Sequence, residues 1–240
     1  MESIPKSVLL VIPHEDDGEG GAGGTVARWT KQGTKAVFVL CTNGDKGTSD
    51  KSMTSPRLAK IREEEQRAAA AVLGVQEVVF LRHGDGDLED SLELMRQVTR
   101  EIRRHKPEVV FCIDPFRSTS HTHRDHRVSG LVGLDAVFTY SWSPHYFPEQ
   151  IKKEGLQPHR VHEMYLWGSE RLDTYFDISE TVDLKAASLA KHVSQMREPE
   201  KLPERIKNRA AELGKERGIP FAEAFRHVHV NPGFKHWAEY

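Results

Sequence analysis

The run Val8-Leu-Leu-Val-Ile12, followed at once by Pro13-His14-Glu15-Asp16-Asp17 and then Gly18-Glu-Gly-Gly-Ala-Gly-Gly24, decides the fold. Consecutive apolar residues that end in a polar, glycine-rich turn read as a strand buried on both faces, with a loop at its carboxyl end. Similar runs recur at Ala36 to Cys41, Val78 to Leu81, Val109 to Ile113 and Met164 to Trp167. Helix-period stretches separate them. Thr25 to Gln32 is short; Pro56 to Leu73 has Ser55 as its N-cap and Gly74 as its stop; Leu88 to His105 ends before Pro107. Strands alternating with helices build βαβ units. The expected fold is therefore α/β, a Rossmann-like, mostly parallel sheet flanked by helices, over residues 1–145. Residues 146–240 are expected to add a smaller extension that completes the cleft of a single domain, with strands near Tyr165 and Tyr175 and helices from Asp183 to Ser194 and Pro203 to Lys215.

Composition narrows the function. The 34 basic and 36 acidic side chains leave a formal net charge of -2, which gives no field for gripping a polyanion. Nucleic acid is not an expected partner. No apolar run approaches the roughly 20 residues that span a bilayer, and the N-terminus runs into its first strand without a signal-peptide pattern. A soluble protein in the cytoplasm is expected, without a membrane partner. Cys41 and Cys112 lie at or near the ends of apolar runs, where reduced thiols serve as small hydrophobes.

In an open α/β sheet, ligands collect beyond the carboxyl ends of the strands. The first such loop places Glu15, Asp16 and Asp17 beside His14, and in a poorly solvated cleft three adjacent carboxylates repel one another unless a cation neutralises them. The loop after the fourth run carries His121, His123, Asp125 and His126. Two imidazoles and one carboxylate leave a metal position open, the catalytic pattern for zinc, although iron, cobalt or manganese accept the same donors. Either loop alone would read as a solvated His-Asp cluster. Together, at one sheet edge, they point to a metal site.

Gly18-Glu-Gly20-Gly-Ala-Gly23 also satisfies G-x-G-x-x-G, with Asp45 after the second run as a ribose-binding acid. That fingerprint aims helix N–H groups at a pyrophosphate, and the crowd of Glu15, Asp16, Asp17 and Glu19 opposes it. The glycines are expected to let the loop and the next helix pack closely on the sheet.

These residues resemble the LmbE-like, or PIG-L, family of metal-dependent N-acetylglucosamine deacetylases. The family's first motif, A/P-H-P-D-D-x-E-x-G-x-G-G-T, matches Pro13 to Thr25, and its H-x-D-H matches His123-Arg124-Asp125-His126. Thr42 to Gly47, the helix around Arg62, Phe80-Leu81 with Asp85-Gly86, Asp177-Ile-Ser with Lys185, His192-Val-Ser194-Gln195 and Ala222-Glu223-Ala224-Phe225 resemble further family elements. Glu15 departs from the pattern, standing where the family usually has Pro.

The resemblance implies that His14, Asp17 and His126 bind the metal, that Asp16 is the general base, and that Arg62 and Asp85 contact sugar hydroxyls. His123, held and kept charged by Asp125, is expected to stabilise the oxyanion. His121 is expected to line the cleft, and His192 to be a packed helix histidine. The implied enzyme is a zinc-dependent hydrolase acting on a small-molecule acetylated amino sugar or conjugate. An amidase acting on a thiol-sugar conjugate and a non-catalytic metal- or nucleotide-binding module are the rival readings. Trp142, His145, Tyr146 and Phe147 are expected either to stack on a sugar or to sit in a homo-oligomer interface.

Overall fold

The five apolar runs fold as β1 (Ser7–Ile12), β2 (Lys35–Thr42), β3 (Glu77–His83), β4 (Val109–Ile113) and β5 (Glu163–Trp167). The structure, a computed structural model, describes residues 4–119 and 122–230. These strands pair in parallel, and the chain adds β6 (Thr174–Asp177) and β7 (Ala222–His229), with β7 antiparallel to both β5 and β6. The seven-stranded order is β3-β2-β1-β4-β5-β7-β6. Residue 145 marks no break in the sheet, because β5 continues it in register with β4 from Val109↔Glu163 to Ile113↔Trp167.

Alternation along β1 explains the two layers. Val8, Leu10 and Ile12 pack with Val26 and Trp29 of α1 (Asp17–Lys31) and with Ala70 of α2 (Ser55–Val72). Leu9 and Val11 face the other way, onto α3 (Leu92–His105) and the end of α4 (Arg124–Asp135). Cys41 and Cys112 are buried free thiols in that second layer, and burial pushes the Cys41 thiol up to about 12. The short α5 (Pro148–Lys152), α6 (Val182–Leu189) and α7 (Leu202–Lys215) complete the α-helices among the described residues. Among the described residues no helix is long and apolar enough to cross a membrane.

Several boundaries differ from the sequence pattern. The glycine run is not a loop: α1 starts at Asp17 and contains it. Glycine costs about 1 kcal/mol per residue in a helix relative to alanine, but here the helix lies too close to the sheet for side chains. A Cβ on Gly21 would come within 2.6 Å of the Trp167 ring, and one on Gly24 within 2.7 Å of Ile178. Thr54, not Ser55, occupies the N-cap of α2. α3 starts at Leu92, capped by Ser91, because Leu88 is drawn away by its N–H bond to Asp125 and its carbonyl bond from Arg124. α6 stops at Leu189, and Ser194 is held instead by Glu65 of α2.

Candidate metal centre

β1 lies between β2 and β4, so the loops that follow β1 and β4 diverge to opposite faces of the sheet and leave a crevice between them. The first loop carries His14, Asp16 and Asp17, and the second leads into α4 with His123 at its N-cap, so both sequence clusters converge there. Asp17 Oδ2 lies 3.2 Å from His14 Nδ1 and 3.1 Å from His126 Nε2. One donor atom from each of the three falls within 4.8 Å of the others. These are two imidazoles and a carboxylate, with the adjoining Asp16 adding further negative charge. The donor set fits a divalent transition metal.

The electrostatics of the bare cluster point the same way. Burial disfavours the Asp17 anion, yet hydrogen bonds from His126 and His14 outweigh it and hold the carboxyl well below its ordinary range. Burial also disfavours the His14 cation, but the carboxylates of Asp125, Asp17 and Asp85 together raise its pKa to about 11. Asp16 behaves differently: burial and the neighbouring Asp17 push it up to about 7. It sits in the left-handed region at φ 86°, unusual for a residue with a side chain. That backbone is pinned by a 3.4 Å bond from Asp16 N to Gln66 Oε1.

The second loop corrects one expectation. Asp125 does not hold His123: its Oδ2 lies 3.0 Å from His14 Nε2 and 3.9 Å from His123 Nδ1. Backbone N–H groups of Gly86 and Leu88 fix the Asp125 carboxylate at 2.6 and 3.3 Å. His123 Nδ1 instead accepts the backbone N–H of Asp125 at 3.2 Å, and burial with His14 nearby lowers its pKa. With Nδ1 accepting, Nε2 is the nitrogen left to donate.

Arg62 and Asp85 also take specific positions. Asp85 Oδ1 is 3.2 Å from His14 Nε2, sharing that nitrogen with Asp125. Arg62 is 4% exposed, and its guanidinium donates to the carbonyls of Glu15 and Gly44 while facing Glu15 Oε2 at 3.1 Å. The residue that replaces the family Pro thus engages the arginine expected at the sugar. Asp45 accepts the N–H of Asp85, which gives the would-be ribose acid a local role. His121 lies outside the described residues. His192 is fully buried as expected, but in the turn after α6, with Nε2 3.7 Å from Glu19.

The three-donor cluster opens on a cleft of about 410 Å³ whose wall includes Asp17, His126, Trp167, Lys185 and Arg205. The aromatics of residues 142–147 are elsewhere. Arg103, near the end of α3 that feeds β4, binds the carbonyls of Tyr140, Ser143 and Tyr146 and so holds that segment at the amino edge of the sheet. Trp142 stacks with Arg160 there, at 4.5 Å. Sequence reasoning missed Gln66 and Arg117. Gln66 had a signal, since it follows Arg62 by four residues on the same face of α2. Arg117, whose Nη2 is 3.3 Å from His126 Nδ1, sits in an irregular loop and had none.

Residues 9–137 match the family described as PIG-L, GlcNAc-PI de-N-acetylase. The chain is 31% identical to the diacetylchitobiose deacetylase of Thermococcus kodakarensis over 225 residues, 93% of this chain and 83% of that one. The solved structure of N,N'-diacetylchitobiose deacetylase from Pyrococcus horikoshii, complexed with its inhibitor MPG, matches with a TM-score of 0.87 and 28% identity, covering 97% of this chain and 89% of that one. A 4-oxalmesaconate hydratase of Pseudomonas putida is 29% identical over 79% of this chain and 74% of its own. With both signature loops at one sheet edge and more than half of its length matched, the chain belongs to the PIG-L, or LmbE-like, family.

Proposed function

We propose that this protein is a zinc-dependent hydrolase that removes the N-acetyl group from an N-acetylglucosamine-type sugar or conjugate. Family membership alone does not select this reaction, because relatives include a hydratase. The observation that carries the reading is the 31% identity, over 93% of this chain, to a diacetylchitobiose deacetylase, with Asp16 as a carboxylate beside the three-donor cluster. That is where a general base for water attack belongs.

His14 Nδ1, Asp17 and His126 Nε2 would hold the ion. Bound there, a divalent metal supplies Lewis acidity and brings the pKa of a water toward about 7. Asp16 accepts the proton of the attacking water and then delivers it to the leaving amine, so that the amide yields acetate and the free amino sugar. His123 donates its Nε2 proton in a hydrogen bond to the developing oxyanion. Asp125 and Asp85 orient His14 from behind, the arrangement that fixes the tautomer of a metal-binding imidazole. Arg62 acts as a positioning residue that ties Glu15 to the Gly44 turn, and the cleft beside Trp167 accommodates the rest of the substrate.

The test is acetate release by zinc-reconstituted protein from N,N'-diacetylchitobiose and from N-acetylglucosamine. Turnover on either supports the proposal. Stoichiometric zinc without turnover on any acetylated sugar would favour the non-catalytic module.

A further inference from the structure

A second group of metal donors lies at the opposite end of the sheet. His227 and His229 are two apart on β7, so both imidazoles project from one face. β5 is the antiparallel neighbour, with Glu163 directly across from His229 and Tyr165 across from His227. The strand pairing therefore gathers two nitrogens and a carboxylate at one spot. One donor atom from each falls within 4.8 Å of the others, the two rings are 4.0 Å apart at their centroids, and Glu163 Oε2 is hydrogen-bonded to His227 Nε2. Tyr165 stacks on His227 at 4.7 Å and 22°, which fixes the orientation of that ring.

We propose that Glu163, His227 and His229 form a second site for a divalent transition metal of the zinc class, one that staples β7 to β5. The donors suit the ion: imidazole favours zinc, copper and nickel, and a carboxylate completes a common three-ligand set. Bonds of about 2.0–2.2 Å to one ion put tetrahedral donors about 3.5 Å apart. Closing from 4.8 Å requires only side-chain rotation, chiefly of His229, the exposed member of the group. Regular strands carry all three residues, so the backbone is already set.

The location gives the staple a purpose. β6 pairs with β7 only from Ala222 to Phe225; beyond Phe225 β5 is its strand partner, and on the other side the Asp173 carboxylate accepts the His227 N–H at 2.8 Å. An ion bridging the strands at Glu163 and His229 would secure that half-paired end. The site is independent of the catalytic centre. Glu163 begins β5, whereas the first cluster lies beyond the carboxyl ends of the strands, and the strand between Glu163 and Trp167 spans about 13 Å at about 3.3 Å per residue.

Equilibrium dialysis against zinc, with metal counted by elemental analysis and unfolding followed by calorimetry, tests this on the full chain. The unmodified protein should bind about two ions, and His14→Ala and His229→Ala about one each, because each removes a different three-ligand set. Glu163→Gln, which keeps the side-chain shape, should behave like His229→Ala. Zinc should raise the Tm of His14→Ala and lose that effect when His229→Ala is added. Zinc binding by both His229→Ala and Glu163→Gln equal to that of the unmodified protein would overturn the proposal. If only the catalytic assignment were wrong, His14→Ala would bind as much zinc as the unmodified protein while His229→Ala still lost an ion.

Discussion

The carboxylate of Asp125 lies 3.0 Å from Nε2 of His14, and the opposite nitrogen of that ring faces Asp17 at 3.2 Å. The His14 ring thus bridges the Asp125 and Asp17 carboxylates, with Asp125 fixed in turn by the N–H groups of Gly86 and Leu88. Under the proposed mechanism the two residues of the H-x-D-H motif then have different tasks: Asp125 would support a metal ligand, and His123 would donate.

Asp125→Asn should therefore weaken zinc binding by about 10- to 100-fold, the usual cost of losing such a supporting carboxylate. His123→Ala should keep zinc and substrate binding while kcat falls by roughly 10² to 10³. Competition with a chelator, paired with steady-state kinetics, separates the two effects. Unchanged zinc affinity in Asp125→Asn would return the aspartate to His123.

The Glu15–Arg62 pair, at 3.1 Å, is buried at both ends. Removing one partner of such a pair leaves an uncompensated charge and costs about 3–5 kcal/mol. Arg62→Ala should destabilise the protein by that order at neutral pH. Burial raises the Glu15 pKa, so the folded state takes up a proton more readily than the unfolded chain, and the deficit should shrink as pH falls toward the acid range. Denaturant unfolding across pH provides the check; a deficit that grows on acidification would contradict the assignment.

Lys185 and Glu223 clamp the glycine-rich half of α1. Lys185 Nζ donates to Gly20 O at 2.8 Å, and Glu223 accepts the N–H groups of Gly24 and Thr25 at 2.9 and 2.7 Å while pairing with Lys185 at 2.5 Å. Gly20 O and Gly24 N are the carbonyl and amide that bond to each other in a regular α-helix, so the ion pair supports α1 where propensity is weakest. Glu223→Ala should cost on the order of 3–5 kcal/mol in thermal or denaturant unfolding. A loss within about 0.5 kcal/mol, the scale of an ordinary surface substitution, would show that α1 needs no clamp.

Much of this was legible in the chain. The buried strands are continuous apolar runs, so all five parallel strands follow from pattern alone, and the site follows from what stands at the ends of β1 and β4. The misses have physical causes. α1 is hidden because its glycines are selected by contact with Trp167 and Ile178, a tertiary demand invisible to propensity. β7 is hidden because Arg226, His227 and His229 interrupt the apolar alternation of a strand. The partner of Asp125 could not be read from spacing: His123 is two residues away, yet His14, 111 residues away, is the one in contact. The aromatics of residues 142–147 suit a sugar site or an oligomer interface by composition, and only the bonds from Arg103 place them at the other edge of the sheet.

In the proposed mechanism Asp16 moves protons and does not hold the ion. The most direct test is Asp16→Asn, assayed for bound zinc and for acetate release from N,N'-diacetylchitobiose beside the unmodified enzyme. Asp16→Asn should keep its zinc while kcat falls by on the order of 10² or more, the scale of a lost general base. Zinc lost in parallel with activity, or activity retained, would contradict that mechanism.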